Sequence, residues 1–295
     1  QSELIKFGDF DQWIVRNIKE SGIIGGDTKQ LYEIGPDAVW NENKAYTNQG
    51  GSPWATSNVM AKVCGITKTN TSVYREKRGD GYCARLDTRM ESVKVLGLVN
   101  ITVLAAGSIF TGSVHEPIKG TKNPQKMLQT GIPFTKKPVA LQFDYKVKMS
   151  DRENRIRATG FSKITDVPGK DYPAAILLLQ KRWEDANGNV YAKRIGTMVT
   201  YYYHSTDWKN NATYEIMYGD ITNRPEYKSH MMRLQATESY TVNSKGESVP
   251  IHEVAWGDEN DVPTHMCLQF TSSHGGAYIG SPGNTLWIDN VKLVY

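Results

Sequence analysis

The chain has 295 residues, of which 39% are hydrophobic and 22% are charged, and its net charge at pH 7 is +4. This balance is typical of a globular protein and excludes a disordered one. Lys and Arg alternate with Asp and Glu without a long basic run, so we expect no nucleic-acid-binding surface. No stretch reaches the roughly 20 apolar residues that a transmembrane helix needs, so no transmembrane segment is predicted.

The three cysteines, Cys64, Cys83 and Cys267, are an odd number whose spacing fits no metal site. We expect three buried thiols on strands, and a Cys64–Cys83 disulfide is the alternative that the sequence leaves open. The chain begins at Gln1 rather than at an initiator Met. We therefore expect that a secretory or lipoprotein signal segment was removed. This predicts an extracytoplasmic protein, in the periplasm or at the outer cell surface, with a lipid anchor as one means of attachment.

Alternation of apolar and polar residues recurs along the chain, whereas helical periodicity is nearly absent. The best helix candidate is Gln12–Ile18. The clearest strand is Val139–Met149, in which Gln142 and Asp144 point away from the apolar face. The predicted strands are Leu4–Phe7, Lys29–Ile34, Val59–Cys64, Ser72–Arg75, Tyr82–Asp87, Lys94–Leu104, Val139–Met149, Ala174–Trp183, Val190–Ile195, Gly196–Tyr203, Tyr214–Tyr218, Arg233–Thr237, Met266–Thr271 and Leu286–Leu293.

The C-terminal stretch 270–295 combines a Gly-rich loop with a closing strand. The loop is Ser272–Asn284, and in the strand that follows apolar residues alternate with outward-facing ones as far as Asp289. After Asp289 and Asn290 the apolar positions change phase. This phase change predicts a β-bulge, which re-aims a strand.

About a dozen short strands separated by Gly, Pro, Asn and Asp predict an all-β fold, a two-sheet antiparallel β-sandwich. We expect one domain over residues 1–295. In this interpretation residues 1–58 supply extra N-terminal strands and a long loop that pack on a body formed by residues 59–295. Two domains are the alternative.

Several short motifs occur in a fixed order along nearly the whole chain. Taken together they resemble the putative carbohydrate metabolism domain family of Gram-negative gut anaerobes, and the last motif resembles the end of galactose-binding and carbohydrate-binding-module jelly rolls. The motifs are F-G-D-F-D-Q-W, S-P-W-A-T-S-N-V, G-Y-C-A-R-L-D-T, A-G-S-I-F-T-G, P-F-T-K-K-P-V-A-L-Q-F-D-Y-K and S-S-H-G-G-A-Y-I-G-S-P-G-N-T-L-W-I-D-N-V-K-L.

The resemblance implies a jelly-roll topology and a role in bacterial glycan utilisation, with a carbohydrate as the ligand. It also implies a structural calcium ion, which the sequence does not localise. The turn Asp185–Asn189 begins like a calcium-binding loop, but the Glu that such a loop requires is not in place.

Sugar recognition needs flat aromatic faces together with planar polar groups, and the sequence offers both. We therefore expect the protein to bind an oligosaccharide or polysaccharide without hydrolysing it. Polar candidates on the strand faces away from the core are Arg85, Gln142, Asp144 and Gln269. Candidates at the loop edge are Trp54, Asn58, Tyr172, Trp183, Trp208 and Tyr278.

A glycoside hydrolase is the alternative, and a structural or adhesin-like module with buried aromatic residues is a third class. A hydrolase needs two carboxylates, ~5 Å apart in a retaining enzyme or ~6.5–9.5 Å apart in an inverting one. No spacing singles out a pair, and no serine nucleophile elbow or His metal motif is present. The carboxylate candidates are Asp87, Asp144, Glu184, Glu215 and Asp289, of which Asp144, Glu184 and Asp289 are retained as catalytic candidates.

Overall fold

A computed structural model describes residues 1–295, and 54% of them lie in strands against 5% in helices. The all-β fold class is therefore confirmed. One short α-helix, α1, spans Ser229–Met232, and the other helical residues lie in three 3-10 helices, Gly22–Ile24, Gln49–Gly51 and Pro124–Met127. The strands are β1 Ser2–Leu4, β2 Trp13–Lys19, β3 Thr28–Ile34, β4 Ala38–Trp40, β5 Trp54–Thr56, β6 Val59–Val63, β7 Ile66–Asn70, β8 Val73–Arg78, β9 Gly81–Val95, β10 Val99–Ala106, β11 Ser108–Val114, β12 Leu128–Thr130, β13 Ile132–Pro133, β14 Ala140–Lys148, β15 Arg155–Arg157, β16 Thr159–Gly160, β17 Thr165–Val167, β18 Ala174–Glu184, β19 Val190–Tyr201, β20 Thr206–Glu215, β21 Met217–Tyr218, β22 Tyr240–Val242, β23 Ser248–Trp256, β24 His265–Thr271, β25 Ile279–Gly280 and β26 Thr285–Val294.

Two large sheets form a sandwich. The first sheet has the order β16-β10-β9-β26-β14-β20, and the second has the order β12-β11-β24-β18-β19-β23-β22. Four consecutive strands in each sheet form the body of the sandwich: β9, β26, β14 and β20 in the first, and β11, β24, β18 and β19 in the second. If these eight strands are numbered along the chain, the two orders are 1-8-3-6 and 2-7-4-5, which is the strand order of a jelly roll. The predicted two-sheet sandwich is confirmed.

One large hydrophobic core lies between the two sheets. Phe143 from the first sheet meets Phe270 from the second edge to face, with ring centroids 4.9 Å apart. Phe10, Trp13 and Trp54 from the N-terminal segment belong to the same core and are almost completely buried. Aromatic rings of this size contribute a large share of the buried apolar surface, so the N-terminal segment helps to stabilise the sandwich.

Three predicted elements are wrong. One is the predicted strand Leu4–Phe7, because β1 ends at Leu4 and residues 6–9 form a turn. The helix candidate Gln12–Ile18 is strand β2, which pairs with β3 over its full length. Its residues are buried on both faces, partly by an ion pair of Arg16 with Glu33 at 2.8 Å, so the alternation expected of a strand is lost. The segment Arg233–Thr237 is irregular rather than a strand.

The predicted bulge in the closing strand is confirmed. The register of β26 against β14 shifts between Gln142 and Asp144, and Asn290 has φ = 50°. A second irregularity follows on the other side of β14, where the register against β20 shifts and Asn211 has φ = 54°. Asn tolerates this left-handed backbone better than most residues. Asp144 therefore lies between two bulged strands.

All three cysteines are free thiols. Cys83 and Cys267 are buried as predicted, and burial raises the pKa of the Cys83 thiol to about 12. Cys64 is exposed in the turn between β6 and β7, so the prediction of a buried thiol is wrong there, and no Cys64–Cys83 disulfide forms. No helix in the structure is long and apolar enough to cross a membrane.

The structure separates two tryptophans that the sequence grouped together, and this separation can be tested. Trp54 is completely buried and its indole nitrogen donates a hydrogen bond to the Lys6 carbonyl, whereas Trp183 is 43% exposed. Trp54→Ala should lower the free energy of unfolding by about 3–5 kcal/mol, the usual cost of truncating a core Trp. Trp183→Ala should lower it by less than about 1 kcal/mol. Urea denaturation measures both, and equal losses would contradict this assignment.

Candidate functional site

A row of alternating aromatic and basic side chains crosses the outer face of the first sheet. Tyr74 lies opposite Arg85, Arg85 opposite Trp287, and Trp287 opposite Lys146 in the strand pairing. Trp208, on the edge strand β20, completes the row. We call these five residues the aromatic–cation row. Strand alternation produces it, because the residues between them point into the core.

The members of the row contact one another through cation–π geometry. The Arg85 guanidinium lies 4.5 Å from the centroid of the Tyr74 ring, and Lys146 Nζ lies 4.2 Å from that of Trp287 and 5.7 Å from that of Trp208. All five side chains are partly exposed. Each such contact at a surface contributes about 0.5–1 kcal/mol. The row is therefore ordered but still reaches solvent.

Next to this row, Arg78 joins two aspartates. Its Nη1 donates to one carboxylate oxygen of Asp144 and to one of Asp289, each at 2.8 Å. Its Nη2 donates to the Asn210 side chain at 2.8 Å, and its guanidinium lies 3.8 Å from the centroid of the Trp208 ring. We call Arg78, Asp144 and Asp289 the Arg78 triad. It links β8, β14 and β26 and fixes one face of Trp208.

The two bulges supply further donors to the triad. The Asn211 backbone N–H donates to Asp144 at 2.8 Å, and the Asn290 side chain donates to the same carboxylate at 3.0 Å. The Asn290 backbone N–H donates to Asp289 at 2.9 Å. Bulges often re-aim backbone groups next to functional sites. Here both bulges direct donors at buried carboxylates.

The environments of the two aspartates move their pKa values in opposite directions. Burial raises the pKa of Asp289 to about 6, although its hydrogen bond and ion pair with Arg78 oppose this. Burial also acts on Asp144, but hydrogen bonds from Arg78, the Asn211 backbone and Asn290 outweigh it and lower the pKa of this carboxyl group. One acid thus holds its proton more tightly than usual, and its neighbour less tightly.

The structure brings together several residues that the sequence singled out. Arg85, Asp144, Trp208 and Asp289 all lie in the row or the triad, and Trp208 is on a strand rather than in the predicted loop. Gln142 lies on the same outer face, where its side chain donates to Thr213 at 2.9 Å. The pairing of Arg85 with Glu76 at 3.0 Å and with Asp87 at 3.3 Å continues the charged network. Burial raises the pKa of Asp87.

Trp54 and Asn58 are unavailable to a ligand, so their predicted place at an exposed loop edge is wrong. Both are buried, at 0% and 2% exposure. The Asn58 side chain donates to the carbonyls of Tyr32 and Val73 and accepts from two backbone N–H groups. Its hydrogen-bonding capacity thus holds three segments of the chain together.

Trp183 and Glu184 lie at the far end of β18, in the second sheet. Trp183 stacks on Tyr191 with centroids 5.9 Å apart, and His252 follows at 5.8 Å. Glu184 is exposed, and hydrogen bonds from Ser244 lower its pKa. Glu184 is on a different sheet from Asp144 and Asp289, so the three catalytic candidates do not form one group.

Other sequence candidates are dispersed as well. Gln269 points away from the core on β24, in the sheet opposite the row. Tyr172 lies beside Tyr201 and His274, with centroids 6.5 and 5.5 Å away. Tyr278 donates a hydrogen bond to the Thr121 carbonyl at 2.7 Å. The exposed Glu215 pairs with Arg224 at 3.2 Å, apart from the triad.

The sequence analysis missed Arg78, Lys146, Trp287 and the two bulge asparagines as members of the site. Trp287 and Lys146 were accessible to prediction, because both occupy outward positions of strands that were recognised. Arg78 gave no such signal. It is the last residue of β8, and only the fold brings it to Asp144, 66 residues later, and Asp289, 211 residues later.

No three His, Cys, Asp or Glu side chains come together as a group that could hold a metal ion. A structural calcium ion therefore stays a prediction without an assigned position. A cavity of about 200 Å³ lies between the N-terminal strand and Phe134, and none of the predicted site residues lines it. The candidate site lies on the outer face of the first sheet, away from this cavity.

The chain belongs to the putative carbohydrate metabolism domain family, because the model of that family matches residues 27–294. A crystal structure from Bacteroides thetaiotaomicron VPI-5482, described as a putative glycoside hydrolase, is 18% identical to it with a TM-score of 0.48. That similarity covers 91% of this chain and 75% of the other. No curated protein matches the chain. Family membership supports a function related to carbohydrate and does not distinguish binding from catalysis.

The raised pKa of Asp289 predicts a particular pH dependence of stability. Between about pH 4, where an ordinary Asp titrates, and about pH 6 the folded protein binds more protons at this site than the unfolded chain does. The free energy of unfolding contributed by Asp289 therefore falls as the pH rises through this window. Asp289→Asn cannot lose this proton, so its stability relative to the parent should rise between pH 4 and 6.

Asp144→Asn is the matched control because the pKa of Asp144 is lowered. Its deficit relative to the parent should change little between pH 4 and 6 and shrink below about pH 4, where the unfolded parent chain takes up a proton at Asp144 before the folded protein does. Urea unfolding of the three proteins at a series of pH values measures both effects. Parallel curves for the parent and Asp289→Asn would contradict the assignment.

Proposed function

We propose that the protein binds an oligosaccharide or polysaccharide along the aromatic–cation row, without hydrolysing it, as part of glycan utilisation outside the cytoplasm. The observation that carries this proposal is the row itself. Three aromatic rings and two basic side chains lie in line across five neighbouring strands and remain partly exposed. Rings of this kind stack on the C–H faces of sugars, and the basic groups between them donate hydrogen bonds to hydroxyl groups.

The spacing of the row favours an extended ligand. Tyr74, Trp287 and Trp208 lie on every second strand, and neighbouring strands are about 4.8 Å apart, so successive rings are roughly 10 Å apart. A single sugar ring is too small to contact two of them. Trp208 lies on the edge strand of the sheet and is partly exposed, which suits a sugar at one end of the row.

The Arg78 triad supports binding rather than hydrolysis. The side chains of Asp144 and Asp289 are only 8% exposed, and the same arginine nitrogen occupies one oxygen of each. Backbone N–H groups occupy their other oxygens. A catalytic carboxylate must reach the scissile bond and exchange a proton with it. Both aspartates instead face donors from within the protein.

A glycoside hydrolase is the second candidate, because one observation favours it. The pKa of Asp289 is raised to about 6 and that of the neighbouring Asp144 is lowered. Separation of this kind is typical of an acid paired with a base or nucleophile. The close approach of both carboxylates to Arg78 Nη1 would fit the short carboxylate separation of a retaining enzyme.

Trp287→Ala and Trp208→Ala should each weaken glycan binding by about 1–3 kcal/mol, the range known for stacking of a base on an aromatic side chain. Affinity gel electrophoresis with a panel of soluble polysaccharides measures the loss as reduced retardation. Trp183→Ala is the matched control, because it removes an equally large and more exposed ring away from the row. If the parent is retarded and only Trp183→Ala abolishes this, the binding site is at the far end of the second sheet.

Hydrolysis is tested separately, with the parent, Asp289→Asn and Asp144→Asn incubated with the polysaccharides that the parent retains. We expect no release of reducing ends from any of the three proteins. Release by the parent that is lost in both variants would establish the hydrolase instead. Arg78→Gln is not suitable for this experiment, since it leaves two buried carboxylates without their counter-charge.

A further inference from the structure

Both arginines beside the aromatic–cation row are held in ion pairs within the protein. Arg78 is shared by Asp144 and Asp289, and Arg85 pairs with Glu76 and Asp87. Glu76 also accepts a hydrogen bond from the Trp287 indole at 2.8 Å. Each arginine thus serves two carboxylates and has no positive charge left to offer a ligand.

Lys146 is the exception within the row. Its ammonium group forms no ion pair and no hydrogen bond with any other residue, and it is held only by the rings of Trp287 and Trp208. The side chain is partly buried. Two more lysines of the same outer face, Lys148 on β14 and Lys292 on β26, also have no ion-pair partner. Lys146 is thus the one cation of the row without a direct anionic partner.

We propose that the row binds an acidic glycan, in which a carboxylate or sulfate group on a sugar pairs with Lys146 while sugar rings stack on the adjacent tryptophans. This inference rests on the proposed carbohydrate-binding function and specifies its ligand class. An ammonium group has three donors and no acceptor, so an anionic oxygen satisfies it better than a sugar hydroxyl does.

The geometry allows this contact at a small cost in free energy. A lysine held by a surface cation–π interaction gives up about 0.5–1 kcal/mol when it leaves the ring. Its flexible stem can then turn toward a ligand and uncover the Trp287 face that it occupies at 4.2 Å. One movement therefore supplies both the charge and the stacking surface. Arg78 cannot move in this way, because three acceptors hold its guanidinium.

The test compares Lys146→Gln with the parent in affinity gels that contain a polyuronate, a sulfated polysaccharide or a neutral polysaccharide. Lys146→Gln should lose affinity for an acidic glycan about tenfold, which corresponds to about 1.4 kcal/mol, and keep its affinity for any neutral glycan that the parent binds. Lys146→Arg should retain binding, since it keeps the charge. The loss should shrink at high salt, because the contact is a charge pair at the surface.

Lys245→Gln is the matched control, since it removes the same charge from an exposed turn on the second sheet. Retention by the polyuronate identifies a carboxylate ligand and retention by the sulfated polymer a sulfate ester, and either result supports the proposal. An equal loss in Lys146→Gln and Lys245→Gln would overturn it, because only net charge would then matter. Unchanged binding of acidic glycans by Lys146→Gln, with Trp287→Ala still impaired, would also overturn it and leave the carbohydrate-binding function intact. A parent that binds no glycan would refute both proposals.

Discussion

The outer face of the first sheet depends on one guanidinium group that serves two carboxylates. Asp144 and Asp289 lie opposite each other on neighbouring strands, and like charges in that position repel. Arg78 removes the repulsion by donating to both from the same nitrogen. The strands on each side of Asp144 are bulged, and the bulges direct Asn211 and Asn290 at the same acids. The two features therefore support each other. The bulges supply hydrogen-bond donors to the buried carboxylates, and the ion pairs with Arg78 hold the bulged strands together.

This arrangement has a consequence for the chemistry that the face can perform. The arginine and the two carboxylates pair with one another. Burial raises the pKa of Asp289, whereas at Asp144 the hydrogen bonds from Arg78, Asn211 and Asn290 outweigh burial and lower the pKa. Groups without a strong partner remain available to a ligand, and these are the aromatic rings and Lys146. The same interaction that resembles a catalytic pair thus leaves a surface whose free groups suit binding.

Much of the fold could be predicted from the sequence, because strand alternation reports directly which side chains face the core. It placed Gln142 and Asp144 outward on β14 and detected the bulge at Asn290, and the structure confirms both. Strand alternation failed to predict burial and contacts where the local sequence pattern carries no information about them. Trp54 occurs in a polar segment but fills the core, and Arg78 reaches partners as far as 211 residues away. The strand β2 was also not predicted, because both of its faces are buried and its sequence therefore lacks the alternation of apolar and polar residues. These positions are determined by contacts between segments that are far apart in the sequence. The spacing of residues along one sequence does not reveal such contacts.

An open sheet face and a cleft select ligands in different ways, and this difference bears on the function. Hydrolysis by two carboxylates requires that the scissile bond lie between them and that a water molecule reach it. A row that crosses five strands instead meets an extended ligand along its length, so under the proposed binding function its affinity grows with the number of sugar units that contact it. Under the proposed binding function, Tyr74 and Trp208, at opposite ends of the row, add to affinity only if one chain spans both, since simultaneous contacts strengthen each other when the ligand can reach them together. In the same proposal the rings contribute the affinity, and the ammonium group of Lys146, between Trp287 and Trp208, selects the chains that carry an acidic group.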